Sequence, residues 1–146
     1  MKKHLITVFL VFCCITLMGQ VKTKSRARPQ PSVAPSAVSG KGIYEKYCLT
    51  CHQADGGGVP NMNPPLIKTS YVLGDRSRLI KVVLNGFSES VDIDGESYYN
   101  VMPAHDFLKD QEIAAVLTYV RKNFTNKTTA ISTAQVKAVR AINRKK

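Results

Sequence analysis

The chain has 146 residues, 21 lysines and arginines against 10 aspartates and glutamates, and a formal net charge of +11. That length points to one small domain with appendages, and the charge raises the question of a nucleic-acid or membrane partner. Its distribution answers in part: residues 38–125 hold nine basic side chains and all ten acidic ones, and the excess lies in the two flanks. A near-neutral domain without a nucleic-acid motif excludes nucleic-acid recognition as its business, and leaves basic tails suited to an anionic surface or an acidic partner.

Residues 1–20 have the shape of a secretory signal, with Lys2 and Lys3 before an uncharged apolar run from Leu5 to Met18 and then Gly19. The run is shorter than the roughly 20 residues a comfortable membrane span needs. Export to the periplasm is therefore expected, with membrane tethering if the signal is not removed. Cys13 and Cys14 fall inside this run and are expected to leave with it. Residues 21–38, rich in proline, serine and basic side chains, read as an extended linker.

A domain is expected over residues 39–125. Ser39 is a good N-cap, and Gly40, Tyr44, Cys48 and His52 recur every four residues, so one helix is expected from Gly40 into the turn at Cys48. A small residue at 40 and an aromatic ring at 44 suit the close crossing of a second helix.

The stretch Cys48-Leu49-Thr50-Cys51-His52 carries the chemistry. Two thiols three residues apart on a helical turn, followed directly by an imidazole, have the spacing that joins both vinyl groups of a haem and places the histidine under its iron. A thioredoxin-like pair would need a βαβ setting, and a zinc site a second ligand pair; neither is present in the sequence. The Gly- and Pro-rich segment from Gln53 to Lys68 is expected to be irregular. It is expected to supply a backbone carbonyl that fixes the second imidazole nitrogen, from Pro64 first and Pro65 second.

Asp75 should cap a helix over 76–85, closed by Gly86, with Leu79, Val82 and Val83 as its buried stripe. Asp94-Gly95 between short alternating segments signals a hairpin turn. Met102-Pro103 follows in a polar loop. A methionine locked there by proline is a poor core filler and a good soft ligand, so Met102 is the candidate second axial ligand, with His105 and Met62 as rivals. Asp110 should cap a third helix over 111–123, whose apolar face is Ile113, Val116, Leu117, Val120 and Phe124, with Val116 and Tyr119 near Gly40 and Tyr44. In the basic tail, 126–146, Ser132 and Gln135 have capping-box spacing ahead of a short amphipathic helix over 133–143. Whether it packs on the domain, lies on a membrane or meets a partner is open at this point.

With these residues placed, the segment from about Gly40 to Phe124 resembles the class I monohaem cytochromes c. The residues that carry it are Gly40, Tyr44, the Cys48–His52 motif, Pro64-Pro65-Leu66, Met102-Pro103 and Val116 to Tyr119. The continuation resembles exported bacterial cytochromes, including those attached to quinoprotein dehydrogenases. The resemblance implies an all-α cytochrome c fold, three main helices around one covalent haem c, and a short hairpin-like loop. It implies no catalysis of its own: with His52 and Met102 as axial ligands, single electrons pass between a donor such as a separate dehydrogenase and a terminal oxidase or other acceptor. The alternative is a haem enzyme or gas sensor in which Met102 is displaced.

Overall fold

A computed structural model describes residues 38–143. The expected signal, and the expected linker apart from Val38, lie outside them. The described chain runs α1 (Gly40–Tyr47), α2 (Leu49–His52), α3 (Ser70–Leu73), α4 (Arg76–Asn85), β1 (Val91–Ile93), β2 (Glu96–Tyr98), α5 (Asp110–Lys122) and α6 (Thr133–Asn143). No helix among the described residues is long and apolar enough to cross a membrane.

Ser39 caps α1 as expected, its hydroxyl accepting the Gly42 N–H at 3.1 Å. The expected continuous helix is broken at Cys48, and the haem-motif turn is a separate element, α2. It ends abruptly because Gln53 sits at φ 64. α5 crosses α1 at Gly40, where a Cβ would collide with the Ala115 carbonyl and come within 2.9 Å of the Tyr119 Cβ. The close neighbours of Gly40 are therefore Ala115 and Tyr119; Val116, expected there, turns toward the cavity described below. Tyr44 packs on Tyr119 with ring centroids 5.6 Å apart and donates its hydroxyl to the Gln53 carbonyl at 2.6 Å.

Asp75 caps α4 through the Arg78 N–H at 2.6 Å. Four residues of α4 are buried, Leu79, Ile80, Val83 and Leu84; Val82, expected in the stripe, is only half-buried and lines the cavity described below, while Ile80 and Leu84 are buried in addition because α6 packs on α4. The hairpin pairs Val91 with Tyr98 and Ile93 with Glu96, and its turn places Asp94 and Gly95 both at positive φ, as a two-residue loop requires.

Asp110 is not the cap of α5 but its first residue; Lys109 precedes the helix, and the Glu112 carboxylate accepts the Lys109 N–H at 2.7 Å. α5 stops at Lys122, so Phe124 is not on its face. It turns back at φ 52 to pack on Tyr44 and over Gly56. Asn126, 1 % exposed, accepts the Lys68 N–H and donates to the Leu66 and Val120 carbonyls, each at 2.8 Å. Arg121, 2 % exposed, reaches the Val72 and Thr129 carbonyls. The capping box at α6 forms, with Ser132 N–H to Gln135 at 2.9 Å and Gln135 N–H to Ser132 at 3.2 Å. α6 packs on the domain through Val136 and Val139.

Candidate functional site

α1 and α2, the loop after α2, α4, the hairpin and α5 enclose one deep cavity, about 1150 Å³ with the open water at its mouth included. Its lining brings together Cys48, Cys51, His52, Pro64 and Met102, predicted from widely separated stretches. Between them lie Leu66, Leu79, Val83, Val116, Leu117 and Val120, and among the described residues no aspartate, glutamate, lysine or arginine lines the space.

The turn at α2 sets the first wall. Cys48 and Cys51 lie three residues apart on one turn, both line the cavity, and both are free. Burial, and then the neighbouring Cys51, push the Cys48 thiol up to about 11, so at neutral pH it is a protonated thiol rather than a thiolate. His52 Nδ1 lies 2.9 Å from the Pro64 carbonyl oxygen. A carbonyl only accepts, so Nδ1 carries the proton and Nε2 keeps its lone pair. Burial lowers the His52 pKa against the opposing pull of the Pro64 carbonyl, which favours the neutral, ligating form.

The Pro64 carbonyl is aimed by its loop. Gly58 packs without a side chain against Asn63 and Pro64, and its N–H returns to the His52 carbonyl at 3.1 Å. The sequence could name the proline but not this contact.

Met102 is held by its backbone. Its N–H and C=O pair with Phe87 at 3.0 and 2.9 Å, directly after α4. That pairing needs Gly86, which sits at φ 66 with a Cβ position occupied by the Met102 carbonyl. The Phe87–Met102 bridge spans a hairpin and leaves no local periodicity, so sequence reading misses it. Of the two rivals, His105 lines the cavity, with Nδ1 buried and unpartnered. Met62 is not in the lining and is 48 % exposed.

These features fit a flat apolar macrocycle joined through two thiols. The walls are predominantly apolar, and two thiols, an imidazole and a thioether belong to the same lining. Two exposed apolar side chains adjoin the cavity: Val101, at 64 %, is in its lining, and Phe107, at 61 %, packs on the lining residues Tyr47 and His105.

Residues 37–124 match the family model described as "Cytochrome c". Among similar proteins, a cytochrome c-552 of Thermus thermophilus is 38% identical over 92 residues, 60% of this chain and 62% of that protein. The fructose dehydrogenase cytochrome subunit of Gluconobacter japonicus is 29% identical over 125 residues, 80% of this chain and 25% of that protein. The cytochrome c subunit of the quinone alcohol dehydrogenase of Gluconacetobacter polyoxogenes is 31% identical over 100 residues, 68% of this chain and 21% of that protein. The chain thus spans about three-fifths of the first relative's length and a quarter or less of the dehydrogenase subunits.

Proposed function

Because the chain belongs to the cytochrome c family and its Cys48 and Cys51 are spaced to attach haem c covalently, we propose that it is an exported single-electron carrier, not itself an enzyme, with His52 and Met102 as the axial ligands. The observation that carries this reading is the shared cavity: His52, fixed through Pro64, and Met102, fixed through Phe87, line the same uncharged space as both thiols. When bound, haem c supplies one-electron iron chemistry, and a thioether ligand favours the reduced state. The residues of the chain do the rest. Cys48 and Cys51 hold the group, the aliphatic walls keep water from it, and the Pro64 carbonyl keeps the His52 ring in one tautomer and orientation.

With His52 and Met102 both holding the iron of a bound haem, a substrate would find no open site on it, and electrons would leave through the cavity mouth. A donor such as a separate dehydrogenase, and an acceptor such as a terminal oxidase, would dock transiently over Cys51, Met62, Val101 and Phe107. The loops that form this rim are joined by the Tyr99 N–H to Asn61 and the Asn100 N–H to Met62, both at 3.1 Å. The basic flanks are available to keep the carrier near an anionic membrane surface of the periplasm.

Met102→Ala tests the assignment. It should lower the midpoint potential and let carbon monoxide bind the reduced protein, while Met62→Ala changes neither; an unchanged potential in Met102→Ala would remove Met102 from the iron. One observation favours the second reading, a haem enzyme or gas sensor: His105 offers a buried, unpartnered ring nitrogen in the cavity wall. That reading requires the native protein itself to bind carbon monoxide.

A further inference from the structure

Helix α6 grips both ends of the segment that carries Met102. At one end, Asn143 and Asn85 exchange side-chain hydrogen bonds of 2.7 and 3.2 Å. Asn85 is the last residue of α4, two before Phe87, whose backbone pairs with Met102. At the other end, the Arg140 guanidinium donates from Nε to the Asp110 carboxylate at 2.6 Å, from Nη1 to the Asp106 carbonyl at 2.8 Å and from Nη2 to the Leu108 carbonyl at 2.6 Å. The Arg140 side chain is only 13% exposed. Between the two grips the strap has its own anchor, the His105 N–H on the Val83 carbonyl of α4 at 2.8 Å.

We propose that Arg140 is a positioning residue for Met102, a clamp from the C-terminal helix that keeps the methionine strap closed and so opposes displacement of the thioether from the iron. This rests on the reading of Met102 as a ligand. A ligand that replaces Met102 must move the strap, and each contact that is made with the strap closed and lost with it open weighs against the replacement. The three Arg140 contacts fall on residues 106, 108 and 110, the turn that joins the segment carrying Met102 to α5. They are charge-assisted and use three edges of one planar fork. A lysine could meet the Asp110 carboxylate but, as a single point charge, could not also serve two carbonyls. Phe87 holds the methionine backbone directly; Arg140 acts one step further out, which is why its effect is on ligand exchange rather than on the resting bond.

The test is imidazole binding to the oxidised holoprotein, followed by the loss of the sulfur-to-iron charge-transfer band. Arg140→Ala should tighten the apparent Kd for imidazole about tenfold, and Arg140→Lys and Asp110→Asn should fall between it and the native protein. Ile43→Ala, which removes a buried side chain of α1 outside the cavity lining, should lower the unfolding midpoint and leave the imidazole affinity alone. An Arg140→Ala protein with lowered stability and native imidazole affinity would overturn the proposal and make Arg140 a structural residue only. If Arg140→Ala does not accumulate, Arg140→Lys and Asp110→Asn carry the same test. Failure of the ligand assignment looks different, because Met102→Ala would then retain the native imidazole affinity and the same absorption.

Discussion

Replacing Gly40 by alanine adds one methyl group where α1 and α5 touch. The new Cβ would lie 2.9 Å from the Tyr119 Cβ and closer still to the Ala115 carbonyl. Carbon atoms prefer roughly 3.5–4.0 Å, so the helices must part by about 1 Å, and a gap of that size forfeits a quarter to a half of each contact across the interface. Overpacking of this kind costs about 1–3 kcal/mol. Against it stands the gain from removing a glycine from the unfolded chain, about 0.4–1 kcal/mol. Taking the middle of each range, the steric term wins by about 1.3 kcal/mol, a fall in Tm of about 5–10 °C at 4–8 °C per kcal/mol. The same helix holds its own control. A Cβ at Gly42 meets only Ser39, at 3.6 Å, so Gly42→Ala should keep the entropic gain and stabilise by about 0.4–1 kcal/mol. Thermal and urea unfolding of the holoprotein, followed by far-UV circular dichroism, reads both. Equal stability of Gly40→Ala and the native protein, or equal damage from the two substitutions, would refute the close crossing.

Asn126→Asp should destabilise more than Asn126→Ala, which itself should cost about 2–4 kcal/mol for three lost buried hydrogen bonds; aspartate would aim an acceptor at the Leu66 and Val120 carbonyls that now accept from Asn126. Urea midpoints of the two variants check the order. Asp94 accepts the Ser70 N–H at 2.8 Å, and hydrogen bonding from Ser70 holds its carboxyl below the usual carboxylate range. A depressed folded-state pKa contributes stability that is present above the ordinary value near 4 and is lost as pH falls through the folded one. Asp94→Asn should therefore flatten that part of the acid limb of a stability–pH profile, and an unchanged limb would contradict it.

How far the sequence could be read depended on the range of the interaction. Ser39, Asp75, Asp94-Gly95 and Ser132/Gln135 act on neighbours within a few residues, and their caps and turn are where local chemistry puts them. The Pro64 carbonyl reaches His52 from the irregular Gly/Pro segment that directly follows the motif. What escaped was decided at a distance. The α1 stripe runs through Cys48 without a mark, and the break appears only because α2 must turn both thiols into the cavity. Asp110 has the residue type of a cap, but it is the first residue of α5; its carboxylate accepts from Arg140 thirty residues away, and Glu112 accepts the Lys109 N–H. Ile80 and Leu84 are apolar on what looks like the wrong side of α4 because α6 covers it. The short α3, capped by the Thr69 hydroxyl on the Val72 N–H at 3.3 Å, sits in a segment too brief to show a period.

Closure of the iron by both His52 and Met102 can be read from the absorption spectrum of the holoprotein, oxidised and reduced, with and without carbon monoxide. A carrier of this kind should give a low-spin c-type spectrum, a sulfur-to-iron charge-transfer band in the oxidised form, and no change on adding carbon monoxide to the reduced form. A high-spin spectrum that shifts with carbon monoxide would contradict it and make the iron an open site.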